Sequence, residues 1–171
     1  MGIISSLLSR YINRQQTVGS LLTIMPEIAS NEIRAGRLPQ INTNTILLSK
    51  DEFCRFVDRA ALLQDKEVTR YEGRSSGFSI RLVKGLTYRV GSSRGIPIKE
   101  KVVNQITGIL YITDRRLLFV AKENGFERKL IDISALMLQP NGVDIQCGNK
   151  TFQMIMPQPD LAVETIRILR G

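Results

Sequence analysis

The residues that could do chemistry are few, and their types narrow the field. The chain contains no histidine, which removes imidazole acid–base catalysis, Ser-His and Cys-His nucleophile pairs, and most zinc or iron sites. Two cysteines, Cys54 and Cys147, lie far apart, each in a run that reads as a strand. Such residues act as small buried hydrophobes rather than as a disulfide. Carboxylates for acid–base work would have to come from Asp51 and Glu52 or from Asp132 and Asp144, and nothing in their spacing brings them together. The sequence holds no metal-binding cluster and no Pro-Asp…Glu-x-Lys nuclease pattern. Gly91-Ser92-Ser93-Arg94-Gly95 has the composition of an anion nest of backbone amides. It matches neither the nucleotide loop nor the dinucleotide fingerprint, so a plain loop is the simpler reading. The chain is expected to be no enzyme, to need no cofactor or metal, and to take no small-molecule substrate.

What it has in excess is positive charge. The net charge is +8, and residues 66–101 alone hold nine basic and three acidic side chains. Arg70, Arg74, Arg81, Lys84, Arg89, Arg94, Lys99 and Lys101 are therefore candidate contacts for an anionic partner, either membrane headgroups or nucleic acid. The plainer alternative is a solvated face on exposed strands. The chain has no Trp, and Tyr71, Phe78 and Tyr88 are thinly spread through this segment. A stacking platform for single strands is poorly supplied.

The elements that must position these residues come next. A length of 171 residues, 43% apolar and 23% charged, suits one domain with a real core plus an appendage. Ile3, Ile4, Leu7, Leu8, Tyr11 and Ile12 recur at helical spacing, opposite Ser5, Ser6, Ser9, Arg10, Asn13 and Arg14. Val18, Leu21, Leu22 and Met25 continue the stripe. Helices are expected over roughly 2–24 and 26–35, with Pro26 opening the second and Gly36 stopping it. Ile4, Leu7, Leu8 and Tyr11 form a candidate partner face, to dock on the chain's own domain or to pair with another copy. Arg10 and Arg14 are few cations for a helix lying on a membrane. Met1-Gly2 with Ser6 fits a myristoylation pattern too short to carry weight. No secretory signal is in view, and no apolar run approaches the ~20 residues that span a bilayer. The expected location is cytoplasmic, with peripheral attachment to a membrane as the variant.

Residues 1–40 are read as the helical extension and 41–171 as the main domain, joined by the turn-rich stretch 36–44. Thr45-Ile46-Leu47-Leu48 comes next, before a turn at Ser49–Glu52. Phe53–Leu63 fits helix and strand alike. From Val68 to Val90 the period is two, broken by Gly73, Gly77 and Gly85, as bends and bulges in a small barrel require. Gly108–Ala121 is two apolar runs around Thr113-Asp114-Arg115-Arg116, the pattern of a tight hairpin. Phe126–Ile131, Ser134–Gln139, Val143–Cys147 and Thr151–Met156 read as further strands. Asn124-Gly125 and Asn141-Gly142 are expected to supply positive backbone angles at the turns. Leu161, Val163 (or Ala162), Ile166 and Leu169 mark a closing helix with Asp160 as its N-cap.

The run Gly108-Ile109-Leu110-Tyr111-Ile112-Thr113-Asp114-Arg115-Arg116-Leu117-Leu118-Phe119 resembles the Gly-x-Leu-x-Ile-Thr-x-x-Arg-Leu-x-Phe signature of GRAM and bacterial pleckstrin-homology-like domains. Ile131–Leu136, Gly77–Gly85 and Arg89–Gly95 are similar to the stretches around it in that family, and the resemblance covers about 45–171. It implies a mainly β, α+β fold: an antiparallel half-barrel of about seven or more strands capped by a C-terminal helix. It also makes Phe53–Leu63 a strand. The function it implies is a non-catalytic binding or scaffold module for a protein or peptide, self-associating through the N-terminal helices. The alternative is attachment to an anionic surface through residues 66–101.

Overall fold

The computed structural model describes residues 21–72, 79–83, 86–89 and 96–171, with side chains over 21–69 and 98–171. In chain order the elements are α1 (Glu27–Arg34), β1 (Cys54–Glu72), β2 (Ser79–Val83), β3 (Leu86–Arg89), β4 (Ile96–Thr113), β5 (Arg116–Ala121), β6 (Phe126–Lys129), a 3-10 turn (Leu130–Asp132), β7 (Ile133–Gln139), β8 (Gly142–Cys147), β9 (Lys150–Ile155) and α2 (Pro159–Arg170). They fall into two compact units, Met1–Gln64 with Val103–Gly171, and Asp65–Val102.

The first unit is built on a seven-stranded sheet in the order β6-β5-β4-β1-β9-β8-β7. Alternation explains its central hairpin. Leu110, Ile112, Leu117 and Phe119 are at most 2% exposed, and the antiparallel register sets Leu110 against Phe119 and Ile112 against Leu117. Two-residue turns join β7 to β8 and β8 to β9, since Gln139 pairs with Gly142 and Cys147 with Lys150. The mainly β shell closed by a C-terminal helix is thus present as expected.

β1 is a strand, and it carries apolar side chains on both faces. Phe56, Ala60 and Leu62 join the main core, while Ala61 and Leu63 belong to a second cluster with Ile155. Helix α2 seals the main core with Leu161, Ala162, Val163 and Ile166, all at most 2% exposed. Burying a side chain such as Leu161 or Ile166 is worth roughly 1.5–3 kcal/mol. Helix α1 adds Ala29 and Ile33 to the same core, and Met25, just ahead of the helix, joins them. Glu27 in its first turn and Arg34 in its last match the helix dipole, and Gly36 ends it at φ +74°.

In the second unit β2 and β3 form an antiparallel hairpin pairing Ser79 with Arg89, Ile80 with Tyr88 and Arg81 with Thr87, irregular between Arg81 and Val83.

Several local expectations are corrected. Residues 21–24 are irregular rather than helical, and Asp58 takes the Thr23 hydroxyl and the Ile24 amide, each at 2.9 Å. Thr45–Leu48, to which the sequence assigns no element, is a loop with the Leu47 carbonyl held by Arg116. β6 stops at Lys129, and Leu130–Asp132 make a 3-10 turn. Asn124 takes a positive φ of 55°, whereas Asn141 and Gly142 do not. Pro140-Asn141 forms that turn, and Gly142 is needed because a Cβ there would overlap the Met154 carbonyl. Asp160 sits in the first turn of α2, while Gln158 holds the N-cap position without a side-chain cap.

Candidate functional site

The densest polar cluster lies at the β4–β5 turn, where the resemblance motif falls. The Thr113 hydroxyl oxygen accepts from the amides of Arg115 (3.2 Å) and Arg116 (3.0 Å) and itself donates to Glu52 Oε1 at 2.8 Å. Arg116 grips Glu52 with Nε at 2.7 Å and Nη2 at 3.1 Å, and reaches Glu127 at 2.9 Å and the Leu47 carbonyl at 2.7 Å. The Ser49 amide completes Glu52 at 2.8 Å. Burial pushes the Glu52 carboxyl up, but the Arg116, Ser49 and Thr113 bonds and the Arg116 charge outweigh it and hold it down at about 2. Those bonds to Glu52 and Glu127 push the Arg116 guanidinium upward. Asp114 Oδ1 accepts from the Phe53 amide at 3.2 Å, and Arg115 donates to the Lys50 carbonyl at 3.1 Å. These bonds fasten the loop 47–53 to the turn. The Thr-x-x-Arg signature is therefore a clasp, with most of its hydrogen-bonding capacity spent within the fold.

The other buried polar groups are also structural. Asp58 is fully buried, and burial pushes its carboxyl up despite three bonds, from Thr23, Ile24 and the Arg59 amide. Cys54 is fully buried and its thiol is pushed up to about 11, mainly by burial. Cys147 is raised for the same reason. Neither has the low-pKa, accessible setting of a reactive thiol. Among the described residues no group of three or more His, Cys, Asp or Glu could hold a metal, and no helix is long and apolar enough to cross a membrane.

The open feature is the edge of the sheet. β6 and β7 are its two end strands, and they differ in kind. β6, Phe-Glu-Arg-Lys, is four residues long and mostly charged, the usual protection of an edge against unwanted pairing. β7, Ile-Ser-Ala-Leu-Met-Leu-Gln, is seven residues long and carries no charge. Met137 and Leu138 on it are 49% and 53% exposed. A register shift between Ile133 and Ala135 bends its start. Beside it runs α2, and between them lies a groove of about 310 Å³ lined by Ile133, Ala135, Leu136 and Ile166 with Arg167 and Arg170. Arg170 is committed, donating to the carbonyls of Leu130 (2.6 Å) and Ile133 (3.1 Å). Arg167 is exposed at the rim.

The residues expected to bind are placed unevenly. Lys99 and Lys101 are exposed on β4, in the second unit. Arg70, Arg81 and Arg89 fall on β1, β2 and β3, with their side chains outside the described set. Arg74, Lys84 and Arg94 lie outside the described residues, as do Ile4, Leu7, Leu8 and Tyr11. The described side chains of the second unit balance, with Asp65, Glu67 and Glu100 against Lys66, Lys99 and Lys101. The β7 edge and its groove were not anticipated. The signal was there in the contrast between Phe126–Lys129 and Ile133–Gln139, but strand order alone reveals that both are edges.

No family model and no curated protein matches the chain. Among solved structures, a chain titled "Vps36 N-terminal PH domain" superposes with a TM-score of 0.44 at 12% identity, over 78% of this chain and 90% of that one.

Proposed function

We propose that this chain is a non-catalytic binding module that takes an extended polypeptide segment along the free edge of β7, beside α2. The observation that carries the reading is the asymmetry of the two edges. An edge strand presents a row of unpaired amides and carbonyls, and sheets ordinarily blunt it with charge, proline or brevity. β6 is blunted in this way, while β7 has neither charge nor proline. Strand addition would satisfy its backbone, and the groove would take alternate side chains of the added segment. Leu136 and Ile166 offer apolar contact there, and Arg167 offers a cation at the rim.

The test is selection of binders from a displayed peptide library, followed by hydrogen exchange at β7. Bound peptides should protect alternate β7 amides. Along an edge strand successive residues bond inward and outward in turn. Of the two single substitutions Leu136→Pro and Met137→Pro, one should abolish capture with little loss of stability, and the other should destabilise the sheet. Selected peptides that leave β7 exchange unchanged would refute the reading.

A further inference from the structure

We infer that residues 3–14 form a helix lying across the outer face of the sheet, over β1, β9 and β8, as a third layer of the first unit. That face is turned away from the main core, to which Leu62, Met154 and Val143 belong. Antiparallel partners share a face. Leu63, Gln153, Asp144 and Met137 therefore make one outer row across β1, β9, β8 and β7, and Ala61, Ile155, Gly142 and Gln139 make the next. Ala61 and Ile155 are 0% exposed, Leu63 6% and Asp144 5%, whereas Met137 at the end of its row is 49% exposed. Burial runs over three strands and fades at the fourth. Leu21 and Val103, both partly buried, are the described apolar side chains packed on the Ala61–Leu63–Ile155 cluster. Two such side chains do not roof three strands, so a further apolar element lies on this band.

The segment just ahead of Leu21 has the form the band requires. Leu21 brings the chain onto the cluster, and Ile3, Ile4, Leu7, Leu8, Tyr11 and Ile12 recur upstream at helical spacing. A helix over 3–14 is about 18 Å long and about 10 Å wide. The outer axes of three strands lie about 10 Å apart, and two rows on one face about 7 Å apart. One helix crossing the strands covers both rows, and residues 15–20 reach up to about 20 Å to return the chain to Leu21. Charge agrees with this occupant. Asp144 is the acidic side chain within the band, bonded by Gln139 at 3.2 Å, while residues 1–20 carry Arg10 and Arg14 and no acidic residue. Buried charges are ordinarily paired. Arg10 and Arg14 follow Leu7 by three and seven residues, along the border of the apolar stripe, where a cation can meet Asp144. The stripe is thus spent within the chain and not on a second copy. Because the band stops short of β7, the helix leaves that edge open and is independent of peptide capture there.

The experiment is methyl NMR of the full chain in a sample that mixes isotope-labelled and unlabelled copies. Contacts should run from the Leu63 and Ile155 methyls to Leu7, Leu8 and Tyr11 of the same copy. Leu7→Ser with Leu8→Ser should lower the urea midpoint by about 1 M or more. Ser6→Ala with Ser9→Ala, on the other side of the helix, should not lower it. Arg10→Gln with Arg14→Gln should lower it more in the wild type than in an Asp144→Asn background. Contacts from the Leu63 and Ile155 methyls to Leu7 and Leu8 of the other copy, to Ile80 or Tyr88 of the hairpin, or to none of these overturn the inference. So does a midpoint unmoved by the double serine change, or arginine changes that act equally in both backgrounds.

Discussion

Replacing Glu52 by glutamine tests whether the turn motif is a structural clasp. Glu52 is 4% exposed, and one of its oxygens accepts from the Ser49 amide and Arg116 Nη2 while the other accepts from Thr113 and Arg116 Nε. Glutamine keeps the shape but turns one acceptor into a donor facing other donors. The carboxyl sits at about 2 in the folded chain against 4.5 when free, and each pKa unit is worth about 1.4 kcal/mol, giving about 3 kcal/mol of stability. The folded-state value is depressed, so the unfolded chain binds the proton more tightly. The contribution is complete above about pH 4.5 and lost as pH falls towards about 2. Glu52→Gln should therefore lower stability by about 3 kcal/mol at pH 7, a fall in Tm of roughly 6–12 °C for a chain of this size. Urea unfolding of both proteins from pH 7 to pH 2 reads it, and the gap should narrow steadily below about pH 4.5. Equal midpoints at pH 7, or a gap constant down to pH 2, would refute the clasp.

Three further outcomes follow, two at Asp58 and one at Gly142. Asp58→Ala should leave the Thr23 hydroxyl and Ile24 amide without their acceptor, costing about 1–3 kcal/mol and speeding exchange at the Ile24 amide. Because burial raises the Asp58 carboxyl, this group favours the fold more as pH falls through its folded-state value, opposite in sign to Glu52, and Asp58→Asn should remove that gain. Gly142→Ala should destabilise by at least about 2 kcal/mol, because the added methyl meets the β9 backbone, which cannot swing aside as a side chain can; a urea midpoint unchanged from wild type would count against this account.

How much of this was legible in the sequence depended on how far apart the deciding residues lay. The Gly108–Ala121 hairpin was legible because its alternation and its partner are both local. Phe53–Leu63 was ambiguous for a physical reason: a strand buried on both faces loses the period-two contrast that identifies one. The non-helical course of Thr23 and Ile24 was hidden because their partner, Asp58, lies more than thirty residues away. The course of the loop at Thr45–Leu48 was hidden in the same way, since Arg116, which holds the Leu47 carbonyl, lies far along the chain. At the candidate site, the uncharged run of β7 could be read directly, but its position at the end of the sheet depends on the strand order.

The economy of the Thr113–Arg116–Glu52 arrangement has a consequence for comparing proteins. Three side chains keep the frame shut without help from β7 or the groove. Under the proposed function, partner preference could therefore drift while the frame stays constant, and two chains sharing the turn need share no ligand. Inheritance of a binding partner is better judged from the uncharged margin and the helix alongside it than from the signature that makes the fold recognisable.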